Sequence, residues 1–195
     1  MPADDSPQYP ERAPERVVEQ LWKSRTLLLF GEITMQLAQA LGAQLLALAA
    51  SGDEPIRLLI NSPGGHVEAG DTLHDLLRFV GPKVFVVGTG WVASAAALVY
   101  VGVERQNRFA LPNTRFLLHE PRGGASGQAS DVENRSRAGA GDARPPEPHF
   151  CRGDRAAFGR IARETQRNHW MGAQAAVEYG LVGRIVERTS DLPRP

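Results

Sequence analysis

The chain has 195 residues with 42% apolar content, enough to bury a substantial core, and its length favours one domain with at most a small appendage. The 22 basic residues balance the 22 acidic ones, which argues against a nucleic-acid partner, since such binders carry a basic excess or stripe. A single cysteine, Cys151, excludes an intrachain disulfide framework and suits a reducing compartment. With no uninterrupted apolar run of membrane length and no charged-then-apolar leader, the expectation is a soluble, cytoplasmic protein with no membrane partner.

Residues 1–16, rich in proline and charge, have little to bury and are expected to be disordered, with order beginning near Val17 and a short tail at 191–195. Arg25 to Phe30 reads as a buried strand closed by Gly31, and Met35 to Leu48 carries apolar residues at helical spacing. Ser51-Gly52-Asp53-Glu54-Pro55 breaks the chain. Ile56 to Ile60 is a second strand, Asn61-Ser62-Pro63-Gly64-Gly65 a loop, and Val67, Leu73, Leu76 and Leu77 mark a further helix ended by Gly81-Pro82. Val84 to Val101 follows as an apolar strand, a glycine turn and a small-residue helix. Arg115 to His119 is another apolar run, stopped by Pro121. Alternating strands and helices predict a parallel sheet with crossover helices, whose functional loops lie at the carboxyl ends of the strands.

Ser94 is the one hydroxyl at the start of the small-residue helix, flanked by Ala93, Ala95, Ala96 and Ala97, so a substrate can approach its backbone closely. In isolation such a serine equally fits a buried helix start, bonding back to its own turn. A serine becomes a nucleophile when an imidazole takes its proton, and the oxyanion that follows needs N–H donors. Gly64 and Gly65, read as opening a helix with unpaired amides, and the amide of Ala95 are candidates for those donors. His119 is the candidate base.

These blocks resemble the proteolytic subunits of ATP-dependent Clp proteases, the ClpP family: INSPGG at Ile60 to Gly65, Ala69-Gly70, G-x-x-A-S at Gly90 to Ser94, LPNTRFLLHEP at Leu111 to Pro121, GGASGQASDVE at Gly123 to Glu133 and AVEYGLV at Ala176 to Val182. The resemblance implies an α/β, crotonase-like fold of repeated β-β-α units over residues 17–190. It implies a serine endopeptidase acting on unfolded polypeptides in stacked heptameric rings of this chain or a paralogue, fed by an AAA+ unfoldase. The unfoldase, not this chain, consumes the ATP, and no metal or other cofactor is implied. By the same resemblance Ser94 is the nucleophile, His119 the base, and Gly65 with Ala95 the oxyanion hole.

Three departures qualify this expectation. The family's third triad residue is an aspartate, whereas the matching position here is Asn168, with Glu164 one helical turn earlier; activity is expected to be weakened or conditional on assembly. An alternative is therefore a non-catalytic scaffold subunit in a mixed ring. Where the family has a long handle helix, 134–159 carries Pro145, Pro146 and Pro148 with several glycines, so the handle at 122–160 is expected to be irregular. Its preserved length suggests two compensating frameshifts, which the nucleotide sequence would test. The family's axial-loop pattern is missing before the first strand. Phe79 and Phe109 fall where the family builds apolar docking pockets, although ordinary packing fits them equally. Trp91 either narrows the substrate channel or fills core, and His66, His74, His149 and His169 have no partners at metal-ligand spacing and read as solvated or packing residues.

Overall fold

A computed structural model describes residues 14–118 and 169–193. Helix α1 (Glu15–Lys23) begins two residues before the expected start of order, so Glu15 and Arg16 belong to it rather than to a disordered segment. It leads into β1 (Thr26–Phe30), α2 (Met35–Ser51), β2 (Ile56–Ser62), α3 (Val67–Phe79), β3 (Val84–Ala93) and α4 (Ala95–Tyr100). A short 3-10 turn precedes β4 (Arg108–Ala110) and β5 (Arg115–Leu118). After residue 168 come β6 (His169–Gly172), α5 (Ala173–Tyr179) and β7 (Arg184–Ile185).

Among the described residues the strands form one sheet with the path β1-β2-β3-β4-β7, all pairs parallel. Beyond Gly88, β3 leaves β4 and pairs through Trp91–Ala93 with β5, which in turn pairs antiparallel with β6. The stretch Gly88-Thr89-Gly90, expected to be a turn, is therefore the interior of a ten-residue strand that changes partner there. Two local features make the bend possible. A Cβ at Gly90 (φ +57) would lie 2.6 Å from Asn61 Oδ1, and the β2–β3 register shifts between Ile60 and Ser62. Asn61 Oδ1 fills this gap by accepting from the Trp91 amide at 3.0 Å.

Helices α2, α3 and α4 cover one face, placing Leu41, Leu45, Leu48, Leu73, Val99 and Tyr100 over the buried sides of β1, β2 and β3. Thr34 caps α2, its hydroxyl accepting from the Leu37 amide. Small residues set the helix spacing: a Cβ at Gly42 would meet Leu76 at 2.8 Å, and one at Gly70 would meet Ala95 at 3.1 Å. That is why Ala69-Gly70 sits where α3 crosses α4. On the opposite face Phe85, Val87, Phe109 and Val186 form a second small cluster, Phe85 and Phe109 meeting edge to face at 5.9 Å. Phe109 is thus packed, whereas Phe79 is 78% exposed. The handle at 122–160, the segment at 1–13 and the tail beyond Pro193 lie outside the described residues.

Candidate active site

Ser94 lies between the last residue of β3 and the first of α4, with φ +55 and ψ −124. A non-glycine residue in that region carries backbone strain, and such outliers cluster at functional sites. The strain is held in place from both sides: the Ser94 amide donates to the Leu117 carbonyl at 3.0 Å, and its carbonyl accepts from Ala97 and Leu98 at 2.9 and 3.3 Å. The hydroxyl does not cap its own helix, so the bonded-back arrangement that the sequence left open is not the one adopted. A sharp strand-to-helix turn that lifts a serine Oγ away from its own backbone is the geometry nucleophilic serines use elsewhere.

The loop after β2 reaches this serine. A Cβ at Gly64 (φ +96) would lie 2.7 Å from the Ser94 Cβ, 2.7 Å from the Ala93 carbonyl and 3.1 Å from the Ala95 nitrogen, so only glycine lets the two loops touch. Gly65 (φ +149) is pressed onto Ile33, whose carbonyl would stand 2.3 Å from a Cβ there. Ile33 donates to the Gly64 carbonyl and accepts from the His66 amide, both at 2.8 Å, which orients the peptide between them.

The amides do not all behave as the sequence suggested. Helix α3 starts at Val67, not at the glycines, and the Gly64 N–H is not free: it donates to the buried Ser62 Oγ at 3.0 Å. Among the described residues the Gly65 and Ala95 N–H groups have no hydrogen-bond acceptor, Ala95 because it opens α4. Ile33, Ser62 and Asn61 thus shape the site without having been singled out. Ser62 and Asn61 stand inside INSPGG, but their signal there is a side-chain acceptor for a backbone that glycine leaves irregular, which spacing does not reveal.

His119, Asn168 and Glu164 lie outside the described residues, but the strands that flank them converge. Leu118, the residue before His119, pairs with His169, the residue after Asn168, and Leu117 bonds the Ser94 amide. The ends of β3 and β5 and the start of β6 therefore meet at one sheet edge.

Trp91 does not fill the core. It is 48% exposed and meets the half-exposed Trp170 edge to face at 5.6 Å on the open side of the sheet. The other histidines differ among themselves. His66 Nδ1 is 3.0 Å from the Glu68 carboxylate at the surface, His74 is buried with Nδ1 3.1 Å from Asp75, and His169 packs on Tyr179, while His149 is outside the described residues.

Behind Ser94, Tyr100 anchors the far end of α4. Its buried hydroxyl donates to the Phe109 carbonyl at 2.8 Å. Burial raises its pKa far above the usual phenol range, partly opposed by the positive charge of Arg108. Arg108 donates to the Val103 carbonyl at 2.7 Å, and burial lowers its own pKa to about 10, with Tyr100 opposing the shift and Arg105 adding to it.

A family model described as Clp protease matches residues 11–189. The chain belongs to the Clp protease family. Among curated Clp protease relatives, the ATP-dependent Clp protease proteolytic subunit 3 of Rhizobium meliloti (strain 1021) is 49% identical over 172 residues, 88% of each chain. The ATP-dependent Clp protease proteolytic subunit 2 of Gluconobacter oxydans (strain 621H) is 43% identical over 174 residues, 88% of this chain and 78% of that one. In structure, ClpP1 from Listeria monocytogenes superposes with a TM-score of 0.73 at 40% identity, covering 91% of this chain and 99% of that one. An asparagine-to-aspartate mutant of that ClpP1 gives 0.77 at 38% identity with the same coverage. The α/β architecture with its parallel sheet is accordingly the ClpP fold, and the chain is of the Clp protease proteolytic-subunit type. No helix among the described residues is long and apolar enough to cross a membrane.

Proposed function

We propose that the chain is a serine endopeptidase subunit that hydrolyses unfolded polypeptides in a cytoplasmic ring assembly with an AAA+ unfoldase. The observation that carries the reading is the contact between the two loops: a strained Ser94 against Gly64, with the amides of Gly65 and Ala95, unpaired among the described residues, beside it. In this reading Ser94 Oγ attacks the scissile carbonyl carbon as His119 takes the hydroxyl proton. The carbonyl oxygen becomes an oxyanion, bound by the Gly65 and Ala95 N–H groups. Collapse of the tetrahedral intermediate breaks the C–N bond, His119 returns the proton to the leaving amine, and an acyl-enzyme remains for water to hydrolyse by the same steps. This chemistry calls on no metal or cofactor from the chain. Asn168 takes the orienting position and holds the imidazole without supplying negative charge, so turnover is slow or depends on assembly.

A second reading, a scaffold subunit in a mixed ring with an active paralogue, is favoured by that same amide in place of a carboxylate. A fluorophosphonate probe separates the two. The proposed chemistry requires covalent labelling that disappears in Ser94→Ala. Absence of labelling, both alone and in a ring with a paralogue, would leave the scaffold. Sedimentation tests the ring itself, and a chain that stays monomeric with its paralogue present would refute that part.

A further inference from the structure

Where β2 and β3 lose register, a side chain takes over from the backbone ladder. Between the pairs Ile60↔Gly88 and Ser62↔Val92, β2 advances by two residues and β3 by four, so β3 carries two extra residues shortly before Ser94. Bulges re-aim the chain and are frequent beside active sites. At this one the Trp91 N–H donates to Asn61 Oδ1 at 3.0 Å. A main-chain N–H can only donate, which fixes the amide oxygen of Asn61, and not its nitrogen, toward Trp91. The acceptor is held from the other side as well: Asn61 pairs with Phe30 of β1, and its carbonyl accepts from the Gly31 N–H at 3.0 Å. Gly90 leaves the room, because a Cβ there would lie 2.6 Å from Asn61 Oδ1 and 3.1 Å from its Cγ.

Beyond this bond the chain has little freedom. Trp91, Val92 and Ala93 pair with β5, the Ser94 amide donates to Leu117, and Ala95 opens α4. The phase of the bulge therefore sets where the Ala95 amide stands relative to Gly65. On the other loop Ser62, next to Asn61, accepts from the Gly64 N–H. Two adjacent side chains of β2 thus reach the two backbones that carry the candidate oxyanion donors.

We propose that Asn61 is a positioning residue for acyl transfer: its bond to the Trp91 amide fixes the bulge that sets the Ala95 N–H against that of Gly65. This role rests on the reading of Ser94 as the nucleophile. Asn61 acts through the strand and touches no reacting atom. A displacement of about 1 Å at a reacting centre can cost about a hundredfold in rate, and an oxyanion donor is sensitive to it because its value depends on preorganisation. The oxyanion forms only after attack, so the loss falls on the rate at saturation and not on binding. A merely structural Asn61 gives a different outcome. Its side chain is exposed, so water would satisfy the Trp91 amide in its place and the rate at Ser94 would not change.

Fluorophosphonate labelling of the full chain, alone and with a paralogue, tests this when the rate is followed against probe concentration, since the phosphonyl oxygen of the probe takes the place of the oxyanion. In Asn61→Ala and in Asn61→Leu, which matches the volume of asparagine but accepts no hydrogen bond, the maximal rate should fall about ten- to a hundredfold with the half-saturating concentration unchanged. Asn61→Asp keeps an acceptor oxygen and should label within about threefold of the parent. Asp191→Ala is the control for lost structure: it removes a carboxylate that accepts from the Glu187 and Arg188 amides beyond β7, and it should label at the parental rate. Parental labelling of Asn61→Ala and Asn61→Leu would overturn the proposal. So would an Asn61→Asp as slow as Asn61→Leu, a loss that appears only as a raised half-saturating concentration, or an equal loss in Asp191→Ala. These outcomes leave Ser94 as nucleophile intact. A parent that does not label, or labelling that persists in Ser94→Ala, would instead overturn the reading of Ser94 and this role with it.

Discussion

Replacing Gly64 by alanine tests whether contact between the two loops, rather than backbone conformation alone, holds Ser94 in place. Gly64 sits at φ +96, so any L-residue there pays a conformational penalty of about 1–2 kcal/mol. The added methyl also lands 2.7 Å from the Ser94 Cβ and from the Ala93 carbonyl. Neither neighbour is the flexible end of a long side chain, so the backbone must move, and overpacking of that kind costs about 1–3 kcal/mol more. Gly31 provides the control. It has a similar φ of +86, but a Cβ there meets nothing within 4 Å. Urea denaturation should therefore find Gly31→Ala destabilised by about 1–2 kcal/mol and Gly64→Ala by about 2–5 kcal/mol, the difference measuring the loop contact. The same displacement shifts the Ala95 amide, and loss of one oxyanion donor slows acyl transfer by about 10²–10³. Fluorophosphonate labelling of Gly64→Ala should slow by that factor while Gly31→Ala labels at the parental rate. Equal destabilisation of the two variants together with equal labelling would refute the reasoning.

Three further outcomes follow from named groups. Ser62→Ala leaves the buried Gly64 N–H without its acceptor and should cost about 1–3 kcal/mol by denaturation, with slower labelling of Ser94; a neutral variant would mean that water replaces the hydroxyl. Tyr100→Phe removes a donor to the Phe109 carbonyl, and its effect should depend on pH in a defined direction. Because the folded phenol has a raised pKa, its stabilisation is complete below the unfolded value near 10 and is lost above it. The stability gap between the parent and Tyr100→Phe should therefore shrink by about 1.4 kcal/mol per pH unit above pH 10, while a constant gap would contradict the raised pKa. If Asn168 holds the orienting position proposed for it, Asn168→Asp adds the charge that an imidazolium calls for and should raise peptidase turnover, by up to about 10⁴ where tautomer selection limits the parent. An unchanged rate would locate the limitation elsewhere.

The alternation of strands and helices was legible because each apolar run is closed by a chemically distinct breaker, such as Gly31, Ser51-Gly52 or Gly81-Pro82, and the parallel order follows from the crossover helices between them. The glycines of β3 were not legible in the same way. Inside an apolar run, Gly88-Thr89-Gly90 fits either a turn or a strand that bends, and what decides is non-local: β4 offers three residues to pair, β5 offers the next three, and Asn61 bridges the gap between β2 and β3. For the same reason the glycine amides were read alike although their partners differ. Gly64 is paired by a side chain two residues before it, and Gly65 is left open by its bridge to Ile33.

The strand that changes partner is also what makes the candidate site possible. Had β3 ended at Gly88 against β4, the small-residue helix would begin there, and no strand would carry Ser94 to the end of β5. By continuing to Ala93, β3 brings the Ser94 amide onto the Leu117 carbonyl, one residue before Leu118 pairs with His169. The antiparallel step from β5 to β6 then sets the end of one strand and the start of the other at the same edge, although fifty residues of chain separate Leu118 from His169. A parallel β6 would have carried its N-terminal neighbour to the far end of the sheet. Thus the strand direction of β6, which no local pattern in His169–Gly172 encodes, decides that the start of β6 lies beside the end of β5.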